Sequence, residues 1–164
     1  MSKPKFVYVT YIASTPEKIF EALTSEKLTA QYWFGYALQS DLKVGSTFTA
    51  TKDGGKPVDH GVILEIDPPR RLVYSWSPQY EAFKGDRPSR VTFDLVPFEG
   101  QVQLTIVHDD FDKGSKAFES ISGGWPKVLS SLKSFLETGK ALAPSWTEED
   151  LKKIHELERA KARP

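Results

Sequence analysis

The stretch Ser115–Glu137, SKAFESISGGWPKVLSSLKSFLE, decides the fold. Within it Phe118, Ile121, Trp125, Val128, Leu129, Leu132, Phe135 and Leu136 recur at steps of three and four, so they share one wide apolar stripe of a long helix. Gly139 follows as a stop signal at the C-terminal end. Pro126 has no N–H to reach the Ser122 carbonyl, so a kink, or a break with a fresh start, is expected around Gly123-Gly124-Trp125-Pro126. A stripe this wide has to be covered by another layer of structure.

Upstream the period changes to two. Residues 5–13 (KFVYVTYIA) are rich in β-branched and aromatic side chains and read as a first strand. Ser14-Thr15-Pro16-Glu17 ends it, with capping-box spacing from Ser14 to Glu17 and Pro16 in the first turn of a short helix. Ile19, Phe20 and Leu23 form the apolar face of that helix. Ser25 caps a second short helix with Leu28, Tyr32 and Trp33 on one side. Six further strands are expected at 36–41, 45–52, 57–67, 71–77, 88–97 and 101–109. Lys43-Val44-Gly45, Asp53-Gly54-Gly55, Asp67-Pro68-Pro69 and Phe98-Glu99-Gly100 supply turn chemistry between them. Connections this short require an antiparallel meander. A longer loop, 78–88, carries the aromatic residues Tyr80 and Phe83. After Ala143-Pro144-Ser145 a tail helix is expected at about 147–161, with a narrow stripe of Leu151, Ile154 and Leu157.

Composition sets the outer bounds. The chain has 164 residues, which suits one domain that buries about 69% of its unfolded surface. Its 22 basic and 22 acidic residues cancel, which argues against a broad electrostatic binder of nucleic acid or acidic membrane. Cysteine is absent, which excludes disulfides, thiolate metal sites and thiol catalysis. There is no asparagine, hence no N-glycosylation acceptor. No apolar run is long enough for a membrane span, and Met1–Lys5 has no secretory core, so a cytoplasmic location is expected. Twenty aromatic residues (4 Trp, 6 Tyr and 10 Phe) have to line something. A curved antiparallel sheet cannot cover its own concave face, and only the long helix has a stripe wide enough to do so. A sheet wrapped around that helix would leave a cavity with aromatic walls.

Four segments in order, IASTPEKIFEALTSEKLTAQYW, HGVILEIDPPRRLVYSW, SRVTFDLVPFEGQVQLTIVHDDF and GGWPKVLSSLKSFLETG, resemble the START-like (SRPBCC) helix-grip superfamily. Within it the chain is similar to the AHSA-like branch, homologous to the C-terminal domain of the activator of heat-shock protein 90 ATPase and grouped with polyketide cyclases and dehydrases. The resemblance covers roughly residues 5–139. It implies an α+β helix-grip fold in the order β-α-α-β6-α, with about seven strands gripping the long C-terminal helix and a cavity between them. Residues 1–139 would form that domain, and 140–164 a linker and an amphipathic tail helix. The eukaryotic co-chaperone carries an additional N-terminal domain with no counterpart here, which points away from stimulation of the heat-shock ATPase.

Strand parity nominates the polar site residues. His60 alternates in phase with Val58, Val62, Leu64 and Ile66, and His108 with Val102, Leu104 and Ile106, which puts both imidazoles on the concave face. They read as ligand anchors or general acid/base groups, against the plainer alternative of strand-end residues held by backbone partners. Asp110 could extend His108 toward a metal set, although no metal or cofactor is expected. Tyr74 and Trp76, in phase with Leu72, each join a large ring to a polar handle, and Phe93 lies on the next inward face. Trp33, Phe34, Tyr80, Phe83 and Trp125 would converge at the cavity mouth, where Gly123-Gly124 allows close approach, unless Trp125 is simply the core anchor of its helix. Glu65 and Asp94 are expected to face outward. His155-Glu156 lacks the second histidine of a zinc motif, since position 159 is Arg.

The expected function is binding of a small apolar molecule, aromatic or lipid-like, through Trp33, Phe34, His60, Tyr74, Trp76, Phe93, His108 and Trp125. One rival is a cyclase- or hydrolase-type enzyme using His60, His108 or Tyr74 for proton transfer. Another is a co-chaperone or homodimer module that associates through the tail helix. Neither nucleic acid nor membrane insertion is expected.

Overall fold

The computed structural model describes residues 4–78, 87–112, 116–142 and 156. Its elements follow the expected order: β1 (Phe6–Ile12), α1 (Pro16–Thr24), α2 (Glu26–Tyr32), β2 (Tyr36–Ser40), β3 (Thr47–Lys52), β4 (Pro57–Asp67), β5 (Arg71–Pro78), β6 (Ser89–Phe98), β7 (Gln101–Asp109) and α3 (Lys116–Thr138). The seven strands form one antiparallel sheet in the order β1-β7-β6-β5-β4-β3-β2. This is the α+β helix-grip architecture. Tyr80, Phe83, His155 and the expected tail helix lie outside the described residues.

Both small helices begin where a short polar side chain can take an orphan amide. Ser25 accepts from the Leu28 N–H at 3.2 Å, as expected. The first cap is one residue later than expected: Thr15, not Ser14, accepts from the Lys18 N–H at 3.2 Å. The Ser14 N–H instead closes a turn onto the Ile12 carbonyl. Gly139 ends α3 at φ +82°, its N–H on the Phe135 carbonyl.

α3 runs unbroken through Pro126, so the expected break is absent. Its stripe is continuous across the proline: Ile121, Trp125, Val128, Leu129 and Leu132 are all buried. That burial outweighs the one hydrogen bond which proline forfeits. The last turn is pinned to β1, because Lys133 Nζ donates to the Tyr11 carbonyl at 2.6 Å and Glu137 accepts from the Ala13 N–H at 3.0 Å.

The inner sheet face follows strict alternation on β7, where Val102, Leu104, Ile106 and His108 are all fully buried. On β4 it does not. Pairing with β5 shifts between Ile63 and Glu65, a β-bulge that resets which side chains point inward. Asp59 and Ile63 are therefore buried, while His60 and Leu64 are exposed. Gly61 shares the inner face with them. A Cβ there would collide with the Phe48 ring and the Ser75 carbonyl, so its missing side chain makes room for that ring. Glu65 and Asp94 face outward, and Arg71 bridges them at 3.1 and 2.8 Å. The outer face also carries half-exposed apolar side chains, Val7, Val9 and Tyr11 on β1 and Val96 and Phe98 on β6.

Candidate functional site

Between sheet and α3 the aromatic rings pack against one another. Phe48 meets Tyr74 at 4.6 Å between centroids, Tyr74 meets Phe93 at 5.9 Å and Phe93 meets Trp125 at 5.9 Å. Trp125 in turn meets Trp33 at 5.2 Å, and His108 continues the file to Phe111 at 4.4 Å. Edge-to-face and tilted pairs of this kind each contribute about 0.5–1.5 kcal/mol beyond their buried area. The rings fill the space that the sequence suggested they would line. What is left is a pocket of about 10 Å³, close to the volume of one water, beside the β2–β5 half of the sheet.

Trp33, Tyr36, Leu38, Phe48, Ala50, Asp59, Tyr74 and Trp76 surround that pocket. Leu38, Phe48, Ala50, Asp59 and Tyr74 are its buried floor, and half-buried Trp33, Tyr36 and Trp76 are its rim. Trp33 stands at the C-cap of α2, where the chain turns through Phe34 (φ +51°) and Gly35 (φ +90°) into β2. β3, β4 and β5 present Phe48, Asp59 and Tyr74 at neighbouring register positions, Phe48 opposite Gly61 and Asp59 opposite Pro78.

Asp59 is the one acid on this floor. It is 8% exposed, and Trp76 hydrogen-bonds its carboxyl, while Oδ1 has no partner among the described residues. Burial pushes the carboxyl up to about 7, against the smaller opposing effect of Trp76. Of the five acids on β4–β7, Glu65, Asp67, Asp94 and Asp109 each meet an arginine. Asp59 meets none among the described residues. Burial also drives the Tyr74 hydroxyl well above the ordinary phenol range, with Tyr32 and Asp59 adding to the effect.

His108 is buried as expected, but both its nitrogens are engaged. The Trp125 indole, which can only donate, gives its N–H to Nδ1 at 3.0 Å. A neutral ring then carries its proton on Nε2, directed to Ser89 Oγ at 2.6 Å, and the Ser89 hydroxyl donates to the Trp76 carbonyl at 3.3 Å. Burial pushes this imidazole down to about 3, so it is neutral at physiological pH. The chain of bonds ties α3 to β7, β6 and β5 behind the pocket.

Of the residues nominated from sequence, Trp33, Tyr74 and Trp76 line the pocket. Phe93, His108 and Trp125 are fully packed behind it, and Phe34 packs against the core away from it. His60 is corrected: the β4 bulge turns it to solvent and gives its inward place to Asp59. Tyr36, Leu38, Phe48, Ala50 and Asp59 were not singled out from sequence. The nearest signal was Asp59-His60-Gly61, where a residue without a side chain follows an acid in an otherwise apolar strand. Among the described residues no cluster of three His, Asp or Glu side chains could hold a metal ion, and no helix is long and apolar enough to cross a membrane.

The solution structure of the Aha1 dimer from Colwellia psychrerythraea is similar, with TM-score 0.69 and 23% identity over 84% of this chain and 99% of that one. CalU16 from Micromonospora echinospora gives TM-score 0.67 and 20% identity, covering 96% of this chain and 85% of that one. Protein MLL2253 from Mesorhizobium loti gives TM-score 0.70 and 27% identity, covering 81% and 96%. No curated protein sequence matches the chain. The family model described as activator of Hsp90 ATPase homolog 1-like protein matches residues 13–137, from the end of β1 to the last turn of α3. Since that span holds both faces of the pocket and most of the chain, the protein belongs to the activator of Hsp90 ATPase homolog 1-like family.

Proposed function

We propose that the chain binds a small, largely apolar molecule in the pocket that β2–β5 form with Trp33 at the end of α2. The observation that carries this reading is Asp59, a carboxyl with one unpartnered oxygen at the bottom of an apolar, aromatic pocket. A buried acceptor left unmade costs about 1–3 kcal/mol, which a ligand that supplies a donor would return. The present 10 Å³ holds no organic ligand, so entry requires the half-buried rim rings Trp33, Tyr36 and Trp76 to swing outward. Native mass spectrometry against a broad library of apolar compounds tests the reading. Retained compounds are expected, and Ala50→Leu, which fills the floor, should lower their affinity about tenfold or more. A library with no retained compound overturns the proposal.

A catalytic use of the same carboxyl is the second reading, favoured by its shift to about 7, where it takes and releases protons near neutral pH. It moves the proton-transfer role away from His60, which faces solvent, and from His108, which is held neutral with both nitrogens engaged. Turnover on a cyclase or hydrolase substrate would then follow one titration near pH 7 and disappear in Asp59→Asn.

A further inference from the structure

Asp59 differs from the other four acids of β4–β7 in what it lacks. Glu65, Asp67, Asp94 and Asp109 sit near the surface and each has an arginine, whereas Asp59 is buried and has no cationic partner among the described residues. The groups around it are mostly aromatic, Trp33, Tyr36, Phe48, Tyr74 and Trp76, with Leu38 and Ala50 completing the lining. One of those rings already holds a cation from its own chain, with the Lys52 ammonium 5.1 Å from the Tyr36 centroid. Aromatic walls around a single acid are complementary to an organic ammonium, because the rings attract the positive charge and the carboxylate neutralises it. A neutral hydroxyl could satisfy Oδ1 but would leave the carboxylate charge buried without a counter-charge.

We infer that the ligand class is a primary or secondary amine on a flat apolar body, an arylalkylammonium, whose N–H bonds Asp59 Oδ1 while its body lies among Trp33, Tyr36 and Trp76. The inference rests on the proposed pocket binding and narrows it to a charge type. The titratable groups that share the pocket with Asp59 are Tyr74 of β5, which interacts with it and with Tyr32 of α2, and Tyr36 of β2. His108 of β7 lies on the other side of Trp76, its ring centroid 5.1 Å away, and its protons are committed to the network already described. None of these supplies a positive charge at neutral pH, and the Lys52 ammonium over the Tyr36 ring makes no ion pair with Asp59 among the described residues.

The experiment is calorimetric titration of the full chain with 2-phenylethylamine and with its near-isostere 2-phenylethanol, at pH 8 and pH 5.5, on wild type and Asp59→Asn. The amine should bind wild type at pH 8 at least about tenfold tighter than the alcohol. Its affinity should drop at pH 5.5, where protonation removes the counter-charge, while the alcohol changes little. In Asp59→Asn the preference should vanish. Equal affinities, or a tighter alcohol, in the wild-type protein overturn the cation assignment and leave pocket binding standing. If the library screen retains neutral compounds and the amine does not bind, the assignment falls alone. If neither probe nor any library compound binds, both readings fall. Because the amine–alcohol comparison is made on wild type, the result does not depend on Asp59→Asn folding.

Discussion

Asp59 and Gly61 are the two residues whose substitution says most. Folding raises the Asp59 carboxyl from 3.8 to about 7, so the native state holds a proton there that the unfolded chain has released. The resulting penalty is absent below pH 3.8, grows as pH rises toward 7 and is constant above it. Its full size is at most about 4 kcal/mol. Asparagine does not ionise, so Asp59→Asn should gain on wild type between pH 4 and pH 8, read from urea denaturation at each pH. Parallel profiles would contradict a buried, unpaired carboxyl. At Gly61 an added methyl meets a backbone carbonyl as well as the Phe48 ring, and the carbonyl cannot swing aside. Gly61→Ala should therefore cost about 2–3 kcal/mol or more, measured as a fall in urea midpoint, with Phe48 displaced from the pocket floor.

Elements differ in how much of them could be read from the chain. α3 was legible because eight apolar residues repeat at helical spacing, and burial of that stripe carried the helix through a proline that local chemistry marked as a break. β7 was legible because its inner residues alternate without interruption to His108. β4 was not. Its apolar residues Val58, Val62, Leu64 and Ile66 spell one continuous inner face, of which only Ile66, beyond the bulge, packs against the core, because a bulge is set by pairing with β5 and leaves no local mark in the sequence. One unforeseen shift exchanged His60 for Asp59 and with it the chemistry of the site. The ring file was half legible: the aromatic count announced it, but rings that fill and rings that line look identical in sequence. Gly123 and Gly124 lie inside α3 with open space where a Cβ would stand. Replacing both by alanine should raise stability by about 1–2 kcal/mol, seen as a higher thermal midpoint. A loss instead would mean that some backbone or ligand needs their bare surface.

At the scale of the whole molecule two buried groups among the described residues, Asp59 and His108, oppose each other in acid and neutral solution. His108 falls from 6.5 to about 3 on folding, so its contribution is intact above pH 6.5 and is lost as pH drops toward 3. The Asp59 contribution runs the other way over pH 3.8 to 7, so between 3.8 and 6.5 the two slopes largely cancel. Removing one partner exposes the other: stability of His108→Gln should decline steadily from pH 4 to pH 7, and that of Asp59→Asn should climb to pH 6.5, both in urea titrations. If the two variants keep the same pH slope, the groups are not buried as described. The sheet order has a different consequence, one of time. β1 is hydrogen-bonded along its length only to β7, Val9 opposite Thr105, so its partner is made roughly a hundred residues after it. At about 5–20 residues per second, the first strand leaves the ribosome some 5–20 s before it can pair. For that interval the backbone N–H and C=O groups of Phe6–Ile12 go without their sheet partners. The first strand to be made is thus the last to find its place in the sheet.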